Sequence, residues 1–209
     1  MVEAHSQALP NRWTINISRV HQDLRDATAA AHRSLEKRLP FISAHLDRGL
    51  YVRLIEAYYG FYFSLERQLG RVPDMDLASL DERQKAPLLI ADLQALGVGA
   101  ERIASLALCR ELPPLGNRLQ ALGAMYVMEG ATLGGQVLSR VVQRKLSIGG
   151  ESGGAFLNVY GSTTSQMWED FLALLSAVDA PEQRAQVVHS ALLTFSSFER
   201  WLERSEVLQ

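Results

Sequence analysis

The stretch MYVMEGATLGGQVL, residues 125–138, contains Gly130, Gly134 and Gly135 within sequence that otherwise favours a helix. Each glycine inside a helix costs about 1 kcal/mol relative to alanine, so something must require bare backbone here. Helix-compatible sequence on both sides predicts one long helix over about 117–146, bent or loosened in its middle. Two features would justify the glycines: close packing against another helix, or the close approach of a flat ligand.

The composition limits the classes of protein that fit. The chain has 209 residues, of which 47% are hydrophobic, enough for one sizeable core. The formal net charge is −2 and the basic residues are scattered, which argues against a nucleic-acid or anionic membrane partner. The single Cys109 cannot form an internal disulfide, and neither a membrane span nor a signal peptide is evident. These features predict a cytoplasmic protein.

Hydrophobic spacing predicts helices along most of the chain. No alternating strand pattern and no internal repeat is evident, so the predicted fold class is all-α, a single-domain bundle of six to eight helices. Residues 1–16 have no clear period and contain Pro10, which predicts a flexible N-terminal arm before a domain over 17–209. Helices are predicted at about 17–39, 50–69, 81–96, 117–146, 164–177 and 181–204, with a short one before Pro113.

Several common catalytic patterns are missing from the sequence. No Glu has a His three residues later, which disfavours a di-iron carboxylate site. There is also no HExxH sequence, paired-cysteine zinc pattern, phosphate loop or GxSxG sequence. A Cys–His nucleophile built on Cys109 stays open, although its apolar surroundings, SLALCRELP, favour buried packing.

His32 has the most informative neighbours of the five histidines. In LRDATAAAHRSLE, residues 24–36, Arg25 precedes His32 by seven positions and Glu36 follows it by four. On a helix, Arg25 and His32 lie about 10 Å apart near one face, so both can reach the same large planar ligand. Glu36 lies one turn on and can accept the second N–H of the imidazole. The alternative is a partly exposed surface histidine in a charged helix.

Together, LRDATAAAHRSLE and YVMEGATLGGQVL resemble the proximal and distal helices of the heme oxygenase family, particularly its bacterial, bacteriophytochrome-associated branch. The segments YYGFYFSLE (58–66) and FLNVYG (156–161) are also similar, so the resemblance covers about residues 20–200. It implies a heme oxygenase-type bundle with a kinked distal helix. In that family, heme b is both cofactor and substrate and lies between these two helices.

The resemblance implies roles for residues on both sides of the heme. His32 is the expected iron ligand, Glu36 its hydrogen-bond partner, and Arg25 a partner of a heme propionate. Further propionate contacts are expected from Tyr160, His189 or Ser190. On the opposite side, backbone without side chains leaves space for dioxygen, and tyrosines hold ordered water. The residues expected there are Gly130, Gly134, Gly135, Tyr62, Tyr59 and Ala131, the last at a position where mammalian members carry Asp.

The implied reaction is oxidative cleavage of heme to biliverdin, with the IX-alpha isomer as the family default and release of CO and ferrous iron. It uses O2 and electrons from an external reductant, for which a ferredoxin or flavodoxin-type donor fits. A bacteriophytochrome as bilin acceptor would place the protein in bilin chromophore biosynthesis. Three alternatives stay open: a heme carrier that does not cleave heme, a thiaminase-like protein acting on another small molecule, and a structural adaptor.

Overall fold

The computed structural model describes residues 18–209, so the predicted arm over 1–16 lies outside the described residues. Within that range the fold is all-α and contains no strand, as predicted. None of the helices described combines the length and hydrophobicity needed to cross a bilayer. The α-helices are α1 (Arg19–Arg38), α2 (Arg48–Leu69), α3 (Leu77–Glu82), α4 (Ala86–Ala95), α5 (Ala100–Ala104), α6 (Arg118–Leu146), α7 (Thr164–Ser176) and α8 (Pro181–Arg204).

The glycine-rich stretch lies in α6, which stays α-helical through all three glycines. Asn117 begins the helix, because its side chain accepts a hydrogen bond from the Gln120 N–H at 3.0 Å. The helix ends at Ser147, a left-handed residue with φ of 58°. The glycines therefore do not interrupt the long helix that the sequence predicts.

The prediction of one helix over 81–96 is wrong, because the structure has two helices, α3 and α4, separated at residues 83–85. Pro87 lies in the first turn of α4, where its missing N–H costs nothing. The Glu66 carboxylate, from α2, accepts hydrogen bonds from the N–H groups of Lys85 (2.7 Å) and Ala86 (3.2 Å). These contacts start a new helix where the hydrophobic period alone predicts continuity.

Close helix packing places α1 and α6 on opposite sides of a cleft. α6 crosses α8 at Gly123, where an added Cβ would lie 2.3 Å from the Val187 carbonyl oxygen. α1 also packs along α8, with Asp23 paired to Arg184 near one end and Arg38 paired to Glu199 towards the other, and α2 contributes buried aromatic side chains to the core. A connection after α6 folds into short 3-10 helices at Gly150–Ser152, Phe156–Asn158 and Gly161–Thr163, of which the middle one packs on α6.

Candidate functional site

The cleft between α1 and α6 has a volume of about 710 Å³. Such a volume is within the range typical of small-molecule and cofactor sites. Residues of α1, α2, α6, α7 and α8 and of the 156–158 turn line it. Its aromatic lining residues are Tyr58, Phe61, Tyr62, Tyr126, Phe156, Trp168, Phe195 and Phe198. The size and the aromatic walls suit a large, flat, mainly apolar ligand.

On the α1 wall, the side chains of His32, Glu36 and Arg25 all line the cleft, as the helical spacing predicts. The His32 side chain is 52% exposed, its Nδ1 lies 3.3 Å from Glu36 Oε2, and its ring packs edge-on against Phe195. The other ring nitrogen, Nε2, has no partner among the described residues, so it is available to a ligand. Arg25 likewise has no ion pair within the part of the chain described and offers a free cation.

On the α6 wall, the three glycines serve two different purposes. An added Cβ at Gly134 would meet no described atom within 4 Å outside its own helix backbone, and one at Gly130 would only touch Trp168 at 3.8 Å. At Gly135 the added Cβ would lie 2.5 Å from the Leu157 carbonyl oxygen. Gly130 and Gly134 therefore leave open space, whereas Gly135 is required by close packing, a difference that the sequence alone does not reveal.

Between the two walls, Tyr62 and Tyr58 of α2 form part of the cleft floor. Their rings stack at 6.0 Å, and both also contact Phe156. Burial raises the pKa of Tyr62 well above its usual value, so this side chain stays a neutral phenol. Its hydroxyl has no hydrogen-bond partner in residues 18–209, which leaves it able to hold water in the cleft. Ala131 lines the cleft without offering any polar group.

Within the described residues, four side chains that were expected at the site lie away from the cleft. Tyr59 packs against Phe63, with ring centroids 5.3 Å apart, on another face of α2. The Tyr160 hydroxyl donates to the Glu129 carboxylate at 3.1 Å. His189 is exposed on α8, and the Ser190 hydroxyl donates to the Gln120 carbonyl across the α6–α8 contact at 2.7 Å. The structure does not bring these side chains to the ligand-sized space.

The lining residues that the sequence does not predict include His21, Tyr126 and Trp168. The His21 ring contacts the rings of Tyr126 and Trp168, at 6.4 Å and 5.9 Å between centroids. Burial, and then the nearby Arg25 charge, lower the pKa of His21, which favours the neutral ring. His21 precedes His32 by eleven positions, which places both on one helix face within about 20°. Trp168 gives no such signal, because its position depends on how α7 packs.

Glu129 is also absent from the predicted set, although it directly precedes Gly130. It is 2% exposed and forms ion pairs with Arg83 at 2.7 Å and with Lys85 at 2.6 Å. Lys85 is itself a lining residue of the cleft. A buried carboxylate with two buried cations thus lies next to the open glycines.

The family model described as heme oxygenase matches residues 18–204. A curated heme oxygenase of Xanthomonas campestris pv. campestris is 24% identical over 102 residues, which cover 48% of this chain and 58% of that protein. The match thus spans somewhat more than half the length of this relative.

Three solved structures share the fold with TM-scores near 0.7. They are the NO- and CO-bound heme oxygenase of Neisseria meningitidis (TM-score 0.69, 20% identity, 89% of this chain and 91% of that chain), the heme oxygenase of Leptospira interrogans (0.68, 21%, 88% and 98%) and heme oxygenase-1 of the cyanobacterium Synechocystis in complex with heme (0.68, 16%, 88% and 91%). At these identities the likeness shows a common fold.

Proposed function

Since the chain belongs to the heme oxygenase family, whose model matches residues 18–204, we propose that it is a heme-degrading oxygenase that binds heme between α1 and α6. The observation that carries the proposal is the arrangement of the two cleft walls. The unpartnered Nε2 of His32 lies on one wall, and the open backbone positions Gly130 and Gly134 lie on the other. An imidazole and bare backbone on opposite walls of an aromatic cleft suit a porphyrin whose iron His32 would bind.

The residues present fit heme. The cleft of about 710 Å³ can take a macrocycle, and its aromatic lining can contact the apolar ring faces. Heme, when bound, supplies the iron that activates dioxygen and the ring that is opened. His32 would bind the iron through Nε2, and Glu36, whose Oε2 lies 3.3 Å from His32 Nδ1, would accept from Nδ1–H and fix the orientation of the ring.

Arg25 gives the cleft a cation that is suited to a heme propionate. Arg25 lines the cleft without an ion pair among the described residues, next to Tyr126 and His21. An arginine can hold a carboxylate with two parallel hydrogen bonds. We assign propionate binding to Arg25 with Tyr126, in place of Tyr160, His189 and Ser190, which lie away from the cleft.

On the opposite side, Gly130 and Gly134 let the ring plane approach the α6 backbone. Ala131 offers no proton donor, so water held by the Tyr62 hydroxyl and by backbone carbonyls supplies protons in the proposed reaction. The proposed products are biliverdin, in the IX-alpha form, with CO and ferrous iron. The proposed electron donor is a ferredoxin or flavodoxin-type protein, and a bacteriophytochrome is the proposed bilin acceptor.

A heme carrier is the second candidate, and one observation favours it: the apolar Ala131 beside the open glycines. A carrier would use the same His32 and the same cleft without opening the ring. The two functions differ in whether heme survives reduction in air.

Both functions are tested by adding hemin to the purified protein and recording absorption spectra through reduction in air. An oxygenase loses its Soret band as a bilin spectrum grows, whereas a carrier keeps the Soret band. The variant His32→Ala should lose turnover. His45→Ala, which changes another exposed histidine away from the cleft lining, serves as the matched control and should behave as wild type. No heme uptake by the wild-type protein would contradict both functions.

A further inference from the structure

Glu129 holds together three segments of the chain just before the open glycines. Its carboxylate accepts hydrogen bonds from Arg83 Nη1 at 2.7 Å, Lys85 Nζ at 2.6 Å and the Tyr160 hydroxyl at 3.1 Å. We call these four residues the Glu129 cluster. Arg83 and Lys85 come from the α3–α4 connection and Tyr160 from the loop after α6, so the cluster ties both segments to α6.

The Lys85 ammonium group and Arg83 Nη1 of the Glu129 cluster are engaged within the protein. Besides Glu129, Lys85 Nζ donates to the Arg83 carbonyl at 2.9 Å and to the Tyr160 hydroxyl at 3.1 Å. An ammonium group has three donors, so none is left for the cleft. Arg83 Nη1 also donates to the Met167 carbonyl of α7 at 3.1 Å. The cluster therefore constrains geometry and offers no free ammonium proton to a ligand.

Stability alone is a poor reason to bury these charges. The side chains of Arg83, Lys85 and Glu129 are 7%, 1% and 3% exposed, so all three lose most of their hydration on folding. Apolar side chains of similar volume often replace such a cluster without loss of stability. Charge-assisted hydrogen bonds differ from apolar contacts in fixing distances and directions. The cluster thus fixes the position of α6 at residue 129.

A second contact holds the same helix beyond the open glycines. The bare Cα of Gly135 lies against the Leu157 carbonyl, where an added Cβ would be only 2.5 Å away. Between Glu129 and Gly135, the positions Gly130 and Gly134 have no side chain that could set the distance to the opposite wall. The distance between the α6 backbone and the opposite wall therefore depends on the contacts at Glu129 and at Gly135. Lys85 also lines the cleft, so one residue contributes both to the cluster and to the wall.

We propose that the Glu129 cluster positions the Gly130–Gly134 backbone over the cleft and thereby selects which meso edge of a bound heme is cleaved. This inference rests on the proposed function and deepens it. The four residues are positioning residues, because they act through the backbone of α6 and not by contact with the reacting atoms. Loosening the cluster lets the backbone shift, so heme can react in more than one orientation.

The first test measures, in the heme-free protein, how strongly the Glu129 cluster stabilises α6 against local opening. Tyr160→Phe removes one hydroxyl and leaves both ion pairs, and Glu129→Gln removes the charge that both cations share. Amide hydrogen exchange over residues 126–135 should become at least about tenfold faster in Tyr160→Phe, the lower limit expected for losing a hydrogen bond to a charged group, and faster still in Glu129→Gln, which breaks two buried ion pairs. The matched control, Glu111→Gln, changes a carboxylate that pairs with Arg204 on the exposed surface and should leave this exchange unchanged.

The second test measures the products. Wild type and Glu111→Gln should give a single bilin isomer, whereas Tyr160→Phe and Glu129→Gln should give a mixture at unchanged heme affinity. If Glu129→Gln does not fold, Tyr160→Phe decides alone. Unchanged exchange, or faster exchange with the isomer composition of wild type, would overturn the positioning role. Heme binding without any bilin from the wild-type protein would instead contradict the proposed function, so the two failures are distinguishable.

Discussion

Replacing Gly134 and Gly135 separately by alanine should change stability in opposite directions, although the residues are neighbours in one helix. Alanine is favoured over glycine inside a helix by about 1 kcal/mol. At position 134 the new methyl group meets no described atom within 4 Å outside its own helix backbone, so Gly134→Ala gains this amount. For a chain of this size, such a gain raises the midpoint of thermal unfolding by about 2–4 °C.

Gly135→Ala instead forces a methyl group to within 2.5 Å of the Leu157 carbonyl oxygen. The neighbouring atom belongs to the backbone and cannot rotate away, so the helix or the 156–158 turn must shift. Overpacking of this kind costs about 1–3 kcal/mol, which outweighs the gain from helix propensity. We expect a net loss of up to about 2 kcal/mol.

The assay is urea and thermal unfolding of the heme-free variants, followed by hemin titration of each. Gly134→Ala should be more stable than wild type and yet bind heme more weakly, because its methyl group enters space reserved for the ring. Such opposite effects identify a glycine that costs stability for the sake of a ligand. If Gly134→Ala is destabilised as strongly as Gly135→Ala, position 134 serves packing and the reasoning about the open wall is wrong.

Three further perturbations follow from the same geometry. Gly130→Leu should prevent heme or dioxygen from entering between α6 and Trp168, and normal turnover of this variant would show that the wall is misassigned. The pKa of His21 is lowered in the folded protein, so the unfolded chain binds the His21 proton more readily, and the stability that neutral His21 contributes is present above about pH 6.5 and is lost as the pH falls. The free energy of unfolding of His21→Leu should therefore change less between pH 7.5 and 5.5 than that of wild type. An equal change in both proteins would contradict the buried, neutral state of His21. Asp92→Asn should cost about 1–3 kcal/mol in the free energy of unfolding, because the carboxylate accepts hydrogen bonds from the N–H groups of Ala155 and Phe156 at 2.8 Å each. Asp170→Asn, at an exposed position, is the control. Equal stability of the two variants would refute the expected role of Asp92.

The sequence predicts the parts of the site that follow from a single helix. The helical repeat places His32, Glu36 and Arg25 on one face of α1. The same repeat places His21 on that face as well. Periodicity cannot separate Tyr59 from Tyr62, because α2 is buried on several sides and both tyrosines are buried. Only the packing of α2 shows that Tyr62 lines the cleft.

Features that depend on contacts between distant segments could not be predicted. Glu129 stands within the glycine stretch, yet nothing local indicates that its partners are Arg83 and Lys85, more than forty positions earlier. Arg83 and Lys85 lie where α3 ends and α4 begins, and the hydrophobic pattern does not detect this helix boundary. Gly134 and Gly135 likewise look alike in sequence, and the carbonyl that distinguishes them belongs to Leu157.

The most direct test of the proposed site is a crystal structure of the protein grown with hemin. We expect the iron bound by His32 Nε2, the propionates at Arg25 and the ring plane beneath the backbone of Gly130 and Gly134. Iron bound by a different side chain, or a macrocycle outside the space between α1 and α6, would contradict the account.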